Sequence, residues 1–106
     1  MSHEHLVRQA NLISGNWVSA DSGKTIDVVN PADGSVIATV PNCGAAETRR
    51  AIEAAHAAFP QYAAMPLNER VALLRRLHQL IVDNLEGLAS LLTAEQGKPL
   101  AESRAE

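Results

Sequence analysis

The sequence predicts an α/β chain in which two β-hairpins are followed by three to four α-helices. Three observations predict it. Residues 11–41 are rich in β-branched residues and broken by turn-forming ones. Residues 45–106 place apolar side chains at helical spacing. No linker, internal repeat or low-complexity stretch separates the two halves, so the 106 residues form one unit rather than several.

Each element has its own signal. "NLISGNWV" (11–18) reads as a tight hairpin, because Ser14-Gly15-Asn16 tolerates positive φ between short apolar arms. "DSGKT" (21–25) is a surface loop. "TIDVVN" (25–30) alternates Ile26 and Val28 against Thr25, Asp27 and Val29, as a half-buried strand does. In "NPADGS" (30–35), Pro31 presets φ and Asp33-Gly34 supplies the reversal. "VIATVP" (36–41) returns and is stopped by Pro41.

The first helix is predicted over 45–59. Gly44 stands at its N-cap, Glu47 adds charge suited to the first turn, and Pro60 ends it. Ile52, Ala55 and Phe59 make its apolar stripe. The second helix starts at Pro66, which suits a first helical position, and runs to Asn84. Leu67, Val71, Leu74, His78 and Ile81 form one ridge; Leu73, Leu77 and Leu80 form the next. So wide an apolar face predicts burial on more than one side. The third helix, 85–96, carries Leu88, Leu91 and Leu92 and closes on Gly97 as C′ residue. Pro99 then fits the first turn of a fourth helix, which has hardly begun at Glu106.

Composition narrows the function. The net charge of −3 with no long block of one sign argues against nucleic acid or an acidic membrane as partner. Apolar runs fall far short of the roughly 18 residues of a membrane span. "MSHEHLVRQ" lacks the basic end and apolar run of a signal peptide. Cys43 is the single cysteine, so no internal disulfide forms, which fits a reducing cytoplasm. Aromatic residues make up only 3%, and alanine dominates 45–64, so an autonomous core would be thin.

The residues with chemical potential are few. Cys43 lies at a predicted helix N-terminus, a location that lowers a thiol pKa, but the sequence nominates no base beside it, which leaves it a connector residue. His3 and His5 are too few for a metal site, which needs three or four ligands. His56 falls on a solvated face. His78 falls on an apolar ridge and is expected to be a hydrogen-bonded core residue. Arg75-Arg76 is the solvated edge of a helix. The six glycines make neither a G-x-G-x-x-G nor a P-loop. "EQGKP" places Pro99 where a P-loop needs Ser or Thr, so Lys98 reads as a solvated lysine at a helix break. Glu95 and Glu102 lie across that break and form no acid/base pair by helical spacing. By motif, the sequence carries no catalytic, cofactor-binding or metal residue.

The order of these pieces nonetheless resembles the N-terminal segment of the aldehyde dehydrogenase superfamily. "NLISGNWV" is similar to the family's Ile-Asn-Gly-x-Trp hairpin, and "DSGKTIDVVNPADGSVIATVP" to its two strands around Asn-Pro-Ala-x-Gly. "AAETRRAIEAAHAAFPQY" is similar to its first helix, and "ERVALLRRLHQLIVDNLEGLASLLTAEQGKPLAESRAE" to the helices after it. Within the superfamily the resemblance is strongest to succinate-semialdehyde dehydrogenases and the similar glutarate-semialdehyde enzymes, through "LVRQANLISGNW", "GAAETRRAIEAA", "NERVALLRRLHQLI" and "LLTAEQGKPLAESRAE". Pro66 where the family has a Thr N-cap, Tyr62 where Trp is common, and Cys43 at a variable position are departures.

The resemblance implies an α/β aldehyde dehydrogenase-like fold, with residues 1–10 as an N-terminal tail and 11–106 as part of a Rossmann-like dinucleotide-binding domain that is incomplete at Glu106. It implies a complete enzyme that oxidises a semialdehyde, most of all succinate semialdehyde, with NAD or NADP as cofactor. In that enzyme a cysteine thiolate attacks the aldehyde, hydride leaves to the cofactor, and a glutamate activates water to hydrolyse the thioester. It also implies the remainder of the polypeptide as partner, a homo-oligomer (dimer or tetramer), and a cytoplasmic location. The family's nucleophile lies well past position 106, so none of these roles is carried onto Cys43 or any other residue. No activity and no cofactor are expected of these 106 residues alone. The alternative is a stand-alone, non-catalytic interaction module built on the same scaffold.

Overall fold

A computed structural model describes residues 3–106. A 3-10 turn (Glu4–Leu6) leads into strands β1 (Asn11–Ile13), β2 (Asn16–Val18), β3 (Thr25–Val29) and β4 (Val36–Pro41). Helices α1 (Ala45–Ala64), α2 (Leu67–Asp83), α3 (Leu85–Gln96) and α4 (Leu100–Ala105) follow. The strands pair as two separate antiparallel hairpins, β1 with β2 and β3 with β4.

Local chemistry explains each reversal. Ser14 and Gly15 both take positive φ, 52° and 78°, as a two-residue loop between right-twisted strands requires. In the second hairpin Val29 pairs with Val36 across a bulge at Val28/Val29. Its turn is tied by side chains. Asn30 Oδ1 accepts from the Ala32 N–H at 2.9 Å, and Asp33 Oδ1 accepts from the N–H and Oγ of Ser35 at 2.9 and 2.7 Å. Gln9 Oε1 accepts from the Thr39 N–H at 3.0 Å, so a side chain from the tail satisfies a donor of β4.

The helices depart from expectation in instructive ways. Pro60 was expected to end the first helix, yet α1 runs through it to Ala64. Proline costs the bond to the carbonyl four residues earlier. That carbonyl belongs to His56, which is exposed, so water can take the lost donor's place, and Ala57, Ala58, Ala63 and Ala64 favour helix on either side. Pro66 and Pro99 sit one residue ahead of the expected first turns, as caps with ψ of 145° and 142° before Leu67 and Leu100. Gly97 closes α3 with φ of 86°, and a Cβ there would meet Pro31 Cγ at 3.1 Å. The break in "EQGKP" therefore needs glycine twice over, for its backbone angle and for close approach of the β3–β4 turn.

Little of the chain is covered. Among the described residues the buried apolar ones are Ala20 and Ala89, with His3, Glu47 and Ser103 as buried polar ones. The radius of gyration is 16.7 Å, against roughly 13 Å for a compact domain of about this length. The accessible surface is 7825 Å², against about 5,700 Å² for a compact protein of this mass. Most of the exposed large apolar side chains lie on α1 and α2, which hardly touch one another. The wide face of α2 was expected to be buried. Here Leu67, Leu73, Leu74, Leu77, Leu80 and Ile81 are all exposed, as are Ile52 and Phe59 of α1 and Ile26 of β3. His78, expected in a core, is exposed with its ridge.

Candidate functional site

Two tightly bonded joints and one bare face are the places where function could reside. The first joint forms where β4 hands over to α1. Gly44 caps the helix, as its position predicts, and Glu47 reaches back so that its Oε2 accepts from the N–H of Gly44 and of Asp21, each at 3.3 Å. Asp21 pairs with Arg50 through two bonds of 2.7 and 3.0 Å. Hydrogen bonds from its own backbone N–H, then from Asp21 and Gly44, hold the Glu47 carboxyl below its ordinary range against desolvation. Arg50 does the same for Asp21.

The same geometry bears on Cys43, expected to be a connector residue. A helix N-terminus lowers a thiol pKa when its positive end faces the sulfur. Here the Glu47 carboxylate already occupies that end. Partial burial first, then hydrogen bonding to Glu47 and its charge, push the Cys43 thiol up, while Asn11 Nδ2, 3.2 Å from Sγ, opposes this. The thiol stays protonated at neutral pH, the opposite of an activated nucleophile.

The second joint gathers α3, α4 and the tail. His3 is buried, with Nδ1 2.9 Å from Ser90 Oγ, so this residue of the tail packs against α3. His5 Nε2 stands 3.4 Å from Asn84 Oδ1. Thr93 and Ser103 share a hydroxyl bond of 2.8 Å between α3 and α4. Arg104 grips both oxygens of Glu86, at 2.9 and 3.0 Å, which lowers the Glu86 pKa. Lys98 was expected to be solvated. It is half-buried and paired with Glu106, across the length of α4. His56, Arg75 and Arg76 are exposed, as expected, and Glu95 and Glu102 are exposed without a shared site. Among the described residues no group of three His, Cys, Asp or Glu could hold a metal ion. None of their helices is long and apolar enough to cross a membrane.

The start of α1, where a phosphate could seat on free N–H groups, is filled by Glu47. The glycines with positive φ lie in hairpin turns, a loop and the α3–α4 break.

Fold and sequence comparisons agree on the class. The aldehyde dehydrogenase family model matches residues 17–106, and the chain belongs to that family. A glutarate-semialdehyde dehydrogenase of Pseudomonas putida is 55% identical over 101 residues, which are 95% of this chain and 21% of that enzyme. An NADP(+) succinate-semialdehyde dehydrogenase of Escherichia coli is 45% identical over 106 residues, 100% of this chain and 22% of the enzyme. Among solved structures, succinate-semialdehyde dehydrogenase from Burkholderia pseudomallei superposes with a TM-score of 0.91 at 48% identity, over 95% of this chain and 21% of that one. The α/β fold read from the sequence is therefore that of aldehyde dehydrogenases. The chain spans about a fifth of the length of the curated relatives it matches.

Proposed function

We propose that these residues are the N-terminal part of an NAD(P)+-dependent dehydrogenase that oxidises a dicarboxylic semialdehyde, succinate or glutarate semialdehyde, to the acid. They have no turnover by themselves. The substrate class and the cofactor come from the named activities of the relatives in Pseudomonas putida and Escherichia coli. The observation that carries the fragment reading is the exposed apolar surface of α1 and α2. The total accessible surface, 7825 Å², exceeds that of a compact protein of this mass by about 2,000 Å², more than one partner contributes to a standard-size interface, and most of the exposed large apolar side chains lie on α1 and α2. A large exposed apolar patch marks a missing partner, and in this reading the partner is the remainder of the polypeptide. The complete enzyme then works as a dimer or tetramer in the cytoplasm.

These residues contribute scaffold rather than chemistry. The Glu47 joint fixes α1 against β4, and the Gly97 break turns α4 across α3 beside the β3–β4 turn. The nucleophile, the base and the dinucleotide seat belong to the remainder of the polypeptide. The stand-alone module reading requires a surface suited to independence, and the bare ridges of α2 do not provide one.

The test is the intact mass and activity of the natural product. A polypeptide several times heavier than 11.3 kDa, reducing NAD+ or NADP+ with succinate or glutarate semialdehyde, is the expected result. A natural product of 11.3 kDa alone, or turnover by the purified 106-residue chain that is lost in Cys43→Ser, would overturn it.

A further inference from the structure

We draw no further inference here: the strongest candidate, the exposed apolar face that α1 and α2 present through Ile52, Phe59, Leu74 and Leu77, is already assigned above to the remainder of the polypeptide, and nothing in the structure shows any other occupant for it.

Discussion

Helices α2 and α3 are written in the same alphabet and treated oppositely by the fold. Both are leucine-rich and follow one another almost without a break. Helix α3 buries Gly87 and Ala89, because α4 and the tail turn close over it. Helix α2 buries no residue along its 17 positions. The small residues of α3 let neighbours approach. The large ones of α2 offer more apolar area and are left largely uncovered. Apolar periodicity thus tells which face of a helix is to be covered, and is silent on which segment covers it.

The largest expected effect breaks this comparison directly. In a complete enzyme carrying this sequence, Leu74→Ala or Leu77→Ala should cost about 2–5 kcal/mol, as buried leucines do, whereas Arg75→Ala or Arg76→Ala should stay within about 0.5 kcal/mol. Denaturant unfolding measures all four, and equal small effects would mean that the α2 face stays bare in the complete enzyme too. In the α3 region, Gly97→Ala forces a non-glycine residue to positive φ and pushes a methyl group into Pro31. A cost of about 1–2 kcal/mol is expected from the backbone conformation alone. A neutral result in the same assay would show that the α3–α4 break does not depend on glycine.

The joints should also respond to acid. Asp21, Glu47 and Glu86 all have lowered pKa values in the fold. Such carboxylates favour the folded form above the ordinary carboxylate range, and lose that contribution as pH falls through their lowered values, beginning below about pH 4. Chemical shifts of the Gly44 and Asp21 amides should move in that window in wild type. In Glu47→Gln the part of the response due to Glu47 itself should disappear. Unchanged titration of both amides in the variant would remove Glu47 from the account.

The smallest effect is expected at Cys43. Cys43→Ser in the complete enzyme should leave kcat/KM within a few-fold, and a thiol reagent should label the wild-type residue no faster than an ordinary cysteine. A loss of about 10³ with the fold intact would mean that the thiol takes part in chemistry.

Most of the architecture was legible because its signals are local. Ser14-Gly15 and Asp33-Gly34 declare turns, Gly44 and Gly97 declare helix ends, and the family resemblance follows from their order. Pro60 misled because its cost, a lost bond and a ring clash at the His56 carbonyl, falls on an exposed, alanine-rich helix that continues through it. His78 misled because an apolar ridge was equated with a core, and the core is not supplied by these residues. Cys43 reads as a connector residue at a helix start, but the direction of its thiol's shift was not legible. A carboxylate four residues on, reaching back to the same N–H groups, reverses the effect of the helix end. Lys98 could not be read as paired, since its partner Glu106 stands eight residues on, at the far end of α4.

The central claim is that the α1–α2 face needs a cover that these 106 residues do not provide. Sedimentation of the isolated chain, with an apolar dye and thermal melting followed by circular dichroism, tests it most directly. The account predicts self-association or strong dye binding, with a broad melt in place of a sharp one. A monodisperse monomer that binds no dye and melts in one sharp cooperative transition would contradict it.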